Sequence, residues 1–528
     1  MGAADKLKSC TAMTEPTEYD LLIIGGGING VGIARDAAGR GLRVVLCEKD
    51  DLAAHTSSAS TKLIHGGLRY LEYYEFGLVR KALKEREVLL RAAPHIIRPL
   101  RFVMPHVPSL RPSWMIRAGL FLYDHLSRRE LLPGSRGVNL RRHVAGVPLK
   151  RDLVHGFIYS DAAVDDARLV VLNALDARER GATILTRTRF AGAQRQADGW
   201  LAQLAADGQA AATIRVRAIV NAGGPWASSL LRQTMQQAQH SELRLVQGSH
   251  IVIKKLFDHD HAYIFQNPDK RIVFAIPYQG EFTLIGTTDL EYRGDPGAAS
   301  IAPQEVDYLC AAVNRYFTRQ TTTADVVWSY SGVRPLLADE DAGNPSAVTR
   351  DYQLDLDTAD GQAPLLSVFG GKLTTFRRLA EEAVDLLARA LGNDIPSWTA
   401  AAALPGGDLH AADFDAFLVD FQRRHAWLPA ALARRYAHGY GSRAERLLAN
   451  VATLDALGAE LSPGLFEAEV RYLVEQEWAV SADDILWRRT KLGLHASAES
   501  RQRLAIWLET WLGEQIDRRK AADKRAAF

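Results

Sequence analysis

At 528 residues the chain is too long for one compact core, so two or three domains are expected. A hydrophobic fraction of 47% and a charged fraction of 24% are ordinary for a folded globular protein and exclude collagen-like and largely disordered chains. The net charge of +2 gives no reason to propose a nucleic-acid partner, and three cysteines are too few for a disulfide framework, which favours a reducing, intracellular compartment.

The sequence contains no segment that is apolar enough to cross a membrane. The first twenty residues, MGAADKLKSCTAMTEPTEYD, lack the apolar stretch of a signal peptide. No uninterrupted apolar run reaches the roughly 18–20 residues that a spanning helix needs. We therefore expect a protein that is not transmembrane but could still lie on a membrane surface.

Residues 20–48 predict a strand, a glycine-rich turn, a helix and a second strand: DLLII, GGGINGVGIARDAAGRG and LRVVLCE. In the GxGxxG of Gly25, Gly27 and Gly30, the first glycine permits a tight turn and the second lets a pyrophosphate approach the backbone. The third lets helix and strand pack closely. Glu48 closes the second strand, where an acidic side chain suits a ribose hydroxyl pair. The pattern predicts a dinucleotide site; a glycine-rich turn without a ligand is the alternative.

Three further segments favour FAD over NAD as the dinucleotide. HTSSASTKLIHGGLRY (55–70) can run along the pyrophosphate and ribityl chain of a flavin, donating hydrogen bonds without bulk. VNAGGPWA (220–227) and SVFGGKLTTFRRLAEEA (367–383) each end a strand in glycines, and a cofactor held from both ends of a domain suits a long flavin best. The predicted cofactor residues are Gly25, Gly27, Asn29, Gly30, Glu48, Ser57, Ser58, Ser60, Lys62, His65, Gly67, Gly223, Gly371, Leu373 and Thr374.

The order of patterns along the chain predicts two interleaved domains followed by a helical one. Residues 183–221 and 243–290 alternate in the manner of β-strands. From about 408 the chain becomes rich in Ala, Leu, Arg and Glu with helical periodicity, and ALPGGDLH (402–410) is the predicted linker. We predict FAD-binding segments at about 19–97, 152–230 and 360–395, substrate-binding segments at about 98–151 and 231–359 (together 19–401), and a helical C-terminal domain at 408–528.

The sequence resembles the quinone-linked, FAD-containing glycerol-3-phosphate dehydrogenases of the bacterial aerobic type. The resemblance extends from about residue 20 to 495 and is carried by IGGGINGVGIARDAAGRGL, TSSASTKLIHGGLRYLEYYEFGLV, LRPSWMIRAGLFLYDHL, GVRPL, TRDY, LLSVFGGKLTTFRRLAE and WRRTKLGL. It implies an α/β fold with an FAD-binding, doubly wound (Rossmann-like) domain, a β-rich substrate region and a helical C-terminal domain.

The same resemblance implies an activity and a location. Glycerol 3-phosphate would be oxidised to dihydroxyacetone phosphate by hydride transfer from C2 to flavin N5, and ubiquinone would collect the electrons. The reaction would belong to glycerol and glycerophospholipid catabolism and would supply the respiratory chain. The protein would lie as a monotopic, peripheral protein on the cytoplasmic face of the inner membrane, against an anionic surface, and a homodimer is compatible with the resemblance.

Arginine side chains within the family motifs are the predicted anchors of the substrate phosphate. Planar guanidinium groups match phosphate oxygens through paired hydrogen bonds, each about 1.5–3 kcal/mol when charge-assisted. By resemblance these anchors are Arg69, Arg334 and Arg350, with Lys372 as a point charge near phosphate or flavin and Tyr70 as a hydroxyl partner. The alternative for each arginine is a surface or domain-bridging salt bridge.

Removal of hydride from C2 also requires loss of the O2 proton, so the reaction needs a general base. A histidine with a near-neutral pKa suits this role. His250, in QGSHIVI, is the first candidate, and His65 is the second, placed nearer the flavin. The alternative is that His250 is a satisfied core residue on a strand.

The segment 98–151 is strongly basic, with eleven Arg and Lys against Asp124 and Glu130. Its arginines could meet lipid headgroups while apolar side chains enter the acyl region. The side chains predicted to do so are Trp114, Met115, Ile116, Leu120 and Phe121. The alternative is an interior helix with a solvated basic flank, and no RNA- or DNA-binding module accompanies the charge.

Three other functions remain open at this stage. A glycerol-3-phosphate oxidase would share the fold and release hydrogen peroxide, and no residue separates oxygen from quinone as acceptor. An amine or amino-acid oxidase would need only one carboxylate clamp, which leaves the arginine-rich motifs unexplained. A non-catalytic flavin-bound membrane or interaction protein would leave the same arginines without a ligand.

Overall fold

The computed structural model describes residues 18–206, 211–233, 243–337, 351–358, 361–393 and 395–526. The chain forms two compact units, one that ends at Leu404 and one that begins at Pro405. The helices of the first unit are α1 (Ile28–Gly39), α2 (Phe76–Ala92), α3 (Ser113–His125), α4 (Asp166–Glu179), α5 (Ala227–Gln233), α6 (Pro303–Asn314) and α7 (Phe376–Leu391).

The first sheet is mainly parallel and carries the glycine-rich turn. Its strands are β1 (Glu18–Ile24), β2 (Val44–Cys47), β7 (Thr183–Leu185), β8 (Thr188–Gln196), β9 (Gly199–Ala206), β10 (Ala212–Asn221), β17 (Tyr352–Asp357) and β18 (Leu365–Gly370). The parallel order is β18–β10–β1–β2–β7, with β17 antiparallel to β18 and the β8–β9 hairpin antiparallel to β10. Strands such as LLII and VVLC are apolar throughout because helices α1, α4 and α7 pack around the sheet.

The second sheet is mainly antiparallel. Its strands are β3 (Leu63–Ile64), β4 (Ile97–Pro105), β5 (Arg136–Asn139), β6 (His155–Val164), β11 (Leu243–Lys254), β12 (Ala262–Gln266), β13 (Ile272–Tyr278), β14 (Phe282–Gly286), β15 (Leu290–Glu291) and β16 (Val326–Leu337). Their order is β15–β11–β14–β13–β12–β4–β6–β3, with β16 also paired to β11 and β5 to β6.

The strand register defines two faces of the second sheet. His250 pairs with Gly286 and Tyr330, and Gly286 pairs with Phe274, so these residues share one face, here called the His250 face. The opposite face, here called the α6 face, carries an apolar core that packs against α6. Its buried members include Val103, Ile158, Ile251, Tyr263, Phe265, Ile285, Leu309 and Val313.

The second unit is mainly helical. Its helices are α8 (Phe414–Arg424), α9 (Ala430–Tyr440), α10 (Ala444–Leu447), α11 (Glu467–Glu477) and α12 (Ala498–Ala526), with two short strands, β19 (Glu460–Ser462) and β20 (Leu465–Phe466). A core that includes Phe421, Tyr436 and Leu473 holds it together. Among the helices of the described ranges, none is both long and apolar enough to cross a membrane.

Three strands belong to a different sheet from the one that their predicted segment indicated. The two-residue strand β3, within 19–97, pairs with β6 in the second sheet. Strand β6, within 152–230, lies in the second sheet because it pairs with β4 from Ile97 to Pro105. Strand β17, within 231–359, lies at the edge of the first sheet because it pairs antiparallel with the strand that follows it. Alternating patterns in the sequence predict strands but do not say which partner each strand takes.

Candidate functional site

The glycine-rich turn between β1 and α1 forms one wall of a cavity of about 320 Å³. Gly25 has φ +112°, and a Cβ there would lie 2.5 Å from the carbonyl oxygen of Ala222. A Cβ on Gly30 would lie 1.9 Å from the carbonyl oxygen of Gly25, so only glycine fits at either position. Residues that line the cavity include Gly25, Gly27, Glu48, Thr56, Ser57, Gly223 and Trp226.

Glu48 closes β2 at the wall of this cavity. Its carboxylate accepts the backbone N–H groups of Gly26 at 2.7 Å and Asp50 at 2.8 Å. Burial raises the pKa of Glu48, and the two backbone hydrogen bonds act in the opposite direction. Each carboxylate oxygen can accept a further hydrogen bond, which suits the hydroxyl pair of a ribose.

Asn29, in the first turn of α1, joins two of the glycine motifs of the first sheet, the one before α1 and the one after β18. Its Nδ2 donates to the carbonyl oxygen of Gly370 at 3.2 Å, and Gly371 (φ +98°) passes so close that a Cβ would lie 3.0 Å from Nδ2. Its Oδ1 is buried without a hydrogen-bond partner among the described residues. The cavity, the excluded Cβ positions and this unpartnered oxygen fit a dinucleotide that approaches the backbone closely and brings its own donor.

The hydroxyl-rich segment after β2 is held mainly by Asp166, the first residue of α4. Lys62 Nζ lies 2.9 Å from both carboxylate oxygens of Asp166 and donates to the carbonyl oxygen of Ser58 at 2.8 Å. Ser60 Oγ donates to the same carboxylate at 2.8 Å. Ser57 Oγ instead accepts the backbone N–H of Ile28 at 3.0 Å, at the start of α1. Lys62 and Ser60 therefore fix the segment, and Ser57 sits beside the helix N-terminus.

The residues around His65 meet the segment that follows β18. The backbone N–H of His65 donates to Thr374 Oγ1 at 3.2 Å, and that hydroxyl donates to the carbonyl oxygen of His65 at 3.3 Å. Gly67 has φ +77°. Lys372 Nζ lies 3.8 Å from the ring centroid of Tyr70. The structure thus brings 65–70 and 371–374, including the half-buried Leu373, together from opposite ends of the unit.

Arg334 lies on the His250 face, where β16 pairs with β11. Its guanidinium donates to the carboxylate of Asp289 and, at 2.9 Å, to Thr287 Oγ1. Arg69 is half-buried, with Nη2 3.5 Å from the hydroxyl of Tyr73. Arg350 lies outside the described residues.

His250 is enclosed on several sides. Its Nε2 lies 3.0 Å from Thr61 Oγ1, and its ring stacks on Tyr330 with centroids 4.8 Å apart. The imidazole is fully buried, and its Nδ1 has no hydrogen-bond partner among the described residues. Burial, followed by the positive charges of Arg334 and Lys62, holds the pKa of His250 well below its ordinary value. The imidazole is therefore neutral and can accept a proton, but its lowered pKa makes it a weaker base than the near-neutral histidine that was expected, and a substrate could reach it only if a neighbour moved.

Several residues that hold the site together were not predicted from the sequence. Asp166 and Asp289, the carboxylates that hold Lys62 and Arg334, lie far from their partners along the chain. Tyr123 Oη accepts the backbone N–H of Gly66 at 2.8 Å and donates to Asp161 at 2.7 Å. Among these residues, only Asp289 could have been identified as a candidate from the sequence, because it follows the threonine pair near the end of FTLIGTTDL.

Helix α3 is amphipathic, and this corrects part of the predicted membrane contact. Ile116 and Leu120 are buried, so the prediction that they enter a membrane is wrong for them. Positions 116, 120 and 123 share one side of the helix because α-helical side chains recur every three to four residues. The other side exposes Trp114 (69%), Met115 (46%), Phe121 (56%) and Leu122 (42%).

The chain is similar to known proteins along nearly its whole length. The sequence profile described as FAD dependent oxidoreductase matches residues 20–377, and that of the C-terminal domain of alpha-glycerophosphate oxidase matches residues 397–512. A glycerol-3-phosphate dehydrogenase of Pseudomonas aeruginosa is 55% identical over 93% of this chain and 95% of its own length. The D-erythritol 1-phosphate dehydrogenase of Brucella abortus is 51% identical (94% and 99%), and the aerobic glycerol-3-phosphate dehydrogenase of Escherichia coli is 50% identical (94% and 98%).

A solved structure supports the same grouping. The glycerol-3-phosphate dehydrogenase from Bacillus halodurans, complexed with FAD, matches with a TM-score of 0.74 and 29% identity over 96% of this chain and 97% of that one. The predicted fold class and the predicted cofactor, FAD, are confirmed. The chain belongs to the FAD-dependent oxidoreductases and, within them, to the group that contains the aerobic glycerol-3-phosphate dehydrogenases.

Proposed function

We propose that this protein oxidises sn-glycerol 3-phosphate to dihydroxyacetone phosphate and passes the electrons to a membrane quinone. The 55% identity to a glycerol-3-phosphate dehydrogenase over nearly the whole chain carries the proposal. Arg334 agrees with it, because a guanidinium already oriented by Asp289 and Thr287 can receive a phosphate without first losing rotamer freedom.

In this proposal the protein binds and orients the substrate while FAD, when bound, accepts the hydride from C2. Arg334, Arg69 and Arg350 bind the phosphate, and Lys372 and Tyr70, which touch each other, complete the polar wall. His250 takes the O2 proton, and His65 is the second candidate because it is less enclosed. Direct transfer to His250 requires displacement of Thr61 or Tyr330 from its ring.

Anaerobic bleaching of the flavin absorbance tests the central reaction. We expect glycerol 3-phosphate to bleach the purified flavoprotein rapidly and glycerol, the matched control without phosphate, to leave it yellow. A fully flavin-loaded protein that glycerol 3-phosphate does not bleach would defeat the proposal and would favour an amine or amino-acid substrate, or a non-catalytic role.

A second substrate has a specific observation in its favour. The chain is 51% identical to a D-erythritol 1-phosphate dehydrogenase, slightly more than to the aerobic enzyme of Escherichia coli. Both substrates present a phosphate and a secondary alcohol, so the residues named above do not separate them. Comparison of kcat/KM for the two phosphates decides which one is the substrate. A higher value for D-erythritol 1-phosphate would identify it, and not glycerol 3-phosphate, as the substrate.

The electron acceptor is tested by reoxidation. The C-terminal profile is named after an alpha-glycerophosphate oxidase, so oxygen is the alternative electron acceptor. We expect the bleached protein to be reoxidised much faster by a soluble ubiquinone analogue than by air-saturated buffer. Rapid reoxidation by oxygen with stoichiometric hydrogen peroxide would instead make the protein an oxidase.

We also propose that the protein lies on an anionic membrane surface, at the cytoplasmic face of the inner membrane, through the exposed side of α3. Trp114 and Phe121 project there from a strongly basic segment. We expect co-sedimentation with phosphatidylglycerol vesicles, lost in W114A/F121A but kept in V419A, which removes an exposed apolar side chain from the second unit. Undiminished co-sedimentation of W114A/F121A would exclude α3 as the contact.

A further inference from the structure

Two arginines lie together on the α6 face of the second sheet, the face opposite His250. Arg101 of β4 pairs with Ser160, and Arg136 of β5 pairs with Ile158, two residues away on the same strand β6. Side chains two residues apart on a strand share a face, and Ile158 belongs to the apolar core under α6. Both guanidinium groups therefore leave the sheet on the same side, from β4 and β5, which both pair with β6.

Two histidines complete this group. His261 immediately precedes β12, which pairs in parallel with β4, so it lies beside Arg101. The rings of His261 and His143 meet edge to face, with centroids 5.2 Å apart. His143 Nδ1 accepts the backbone N–H of Ala145 at 3.1 Å, so its Nε2 carries the proton and is a donor. The four side chains, Arg101, Arg136, His143 and His261, are called the cationic cluster below.

The cationic cluster lacks a matching negative charge in the part of the chain that the structure describes. The negative charge of Asp124 raises the pKa of Arg101. The Asp124 carboxylate, however, already binds Arg129 at 3.1 Å and the backbone N–H of Ser135 at 2.8 Å. The negative charge of Asp260 raises the pKa of His261, and the Asp260 side chain is exposed to solvent. The positive groups act on one another: burial and then the charge of Arg136 lower the pKa of Arg101.

Burial and neighbouring positive groups lower the pKa of both histidines of the cationic cluster. Burial, then Arg136 and Arg101, lower the pKa of His143; burial, then His143 and Arg101, lower that of His261. Neighbouring His259 is already satisfied, since it bonds the hydroxyl of Tyr263 at 2.8 Å and accepts the backbone N–H of His261 at 3.2 Å. By contrast, Arg101 Nε and His261 Nδ1 are buried without a hydrogen-bond partner among the described residues.

We propose that the cationic cluster is a binding site for a phosphate group, separate from the substrate site on the opposite face of the sheet. Two guanidinium groups and two imidazoles offer many donors, and a tetrahedral oxyanion supplies acceptors to several of them at once. The ligand is either free phosphate or the phosphodiester of a lipid. A lipid source is within reach because α3 holds the neighbouring loop: Arg117 donates to the carbonyl oxygen of Ser135, directly before Arg136.

The site has a defined pH dependence. A bound anion favours protonated imidazoles, so His143 and His261 take up protons when phosphate binds. Affinity for an anion of fixed charge, such as a phosphodiester, therefore rises as the pH falls through the range in which the free histidines are neutral; for inorganic phosphate this effect is superimposed on the ionisation of the phosphate itself. The two arginines stay charged throughout and supply the binding that persists at higher pH.

Calorimetric titration of the FAD-loaded protein with inorganic phosphate at pH 6 and pH 8 tests the site. We expect phosphate to bind at the cationic cluster with an affinity that falls at least about tenfold in R101Q/R136Q. The control R141Q/R142Q removes the same charge from exposed positions of the same basic segment and should bind as the wild type does. Phosphate that binds at Arg334 forms a separate class, unchanged in both variants. In H143Q/H261Q only the pH dependence that comes from the second ionisation of phosphate itself should remain, because both titrating side chains of the cluster are gone.

The outcomes separate the two sources of phosphate and the two proposals. If inorganic phosphate does not bind at this site but phosphatidylglycerol vesicles bind the wild type and R141Q/R142Q and not R101Q/R136Q, the ligand is a lipid phosphodiester. If R101Q/R136Q and R141Q/R142Q behave alike toward both probes, the proposal is overturned. Flavin bleaching by glycerol 3-phosphate should be unchanged in R101Q/R136Q, so failure of this site is distinguishable from failure of the proposed function.

Discussion

Arg334 is oriented by its own protein neighbours. Its guanidinium donates to the Asp289 carboxylate and to Thr287 Oγ1, and a Cβ on Gly248 would lie 2.2 Å from Nη2. The glycine lets the guanidinium lie against strand β11, while the carboxylate sets the direction of its plane. This is an arrangement that a lysine, with a single rotating ammonium, cannot reproduce.

Arg334→Lys should therefore raise KM for glycerol 3-phosphate at least about tenfold while flavin content stays unchanged, because charge is kept but the planar fork is lost. Steady-state kinetics with a quinone analogue give KM, and flavin absorbance gives the cofactor content. Arg244→Lys, on the adjacent strand, is the control and should leave KM near the wild-type value. An unchanged KM in Arg334→Lys would remove Arg334 from the phosphate site.

A substitution at His250 distinguishes a general base from a core residue. If it is the base, His250→Gln should lower the rate of anaerobic flavin reduction at least about 100-fold, a usual effect of losing a general base. If it only fills the core between Thr61 and Tyr330, the variant should reduce its flavin at a near-normal rate and lose stability instead. Stopped-flow reduction together with a denaturation curve separates the two, and His65→Gln tests the second candidate in the same way.

At the scale of elements, the contact between β1 and α1 leaves no room for a side chain. The missing Cβ of Gly30 would lie 1.9 Å from a backbone oxygen, which cannot move aside as the end of a flexible side chain could. Gly77, near the start of α2, is the opposite case, since nothing lies within 4 Å of its missing Cβ.

Gly30→Ala should therefore yield protein with little bound FAD, because the turn that faces the pyrophosphate must open to accept the methyl group. Gly77→Ala should keep its FAD and be as stable as the wild type or more stable by about 0.5–1 kcal/mol, since alanine favours helix. Flavin absorbance per protein and thermal unfolding of both variants provide the comparison. Full FAD occupancy in Gly30→Ala would contradict the close-packing argument.

Four histidines that are buried or partly buried make the stability of the whole molecule depend on pH. Burial lowers the pKa of His143, His250, His259 and His261. For His259 the value falls from 6.5 to about 4, with the neighbouring His261 and His143 adding to the effect of burial. A histidine with a lowered pKa stays neutral in the folded state while the unfolded chain takes up a proton.

The free energy of unfolding should therefore decrease as the pH falls from about 6.5 to about 4, the window in which only the unfolded state protonates His259. Below about 4 both states are protonated and this contribution stops changing. His259→Gln should show a shallower pH dependence than the wild type across that window, measured by chemical denaturation at several pH values. Equal slopes for the two proteins would contradict the assignment.

The sequence by itself determined the parts of this protein that depend on local geometry. Gly25 and Gly30 could be identified because a tight turn into a helix excludes side chains at those positions, and Glu48 because it ends the next strand. The family motifs then indicated the cofactor, which is confirmed, while the roles of Arg69, Arg334 and His250 stay predictions.

The tertiary structure decided what depends on residues far apart in the chain. It paired Lys62 with Asp166 and Arg334 with Asp289, enclosed His250, placed β6 and β17 in their sheets, and turned Ile116 and Leu120 of α3 inward. It also brought Arg101, Arg136, His143 and His261 to one face of a sheet. The physical reason is the same in each case: local propensity sets the conformation of a segment, but strand pairing and burial choose its partners only once the chain has folded.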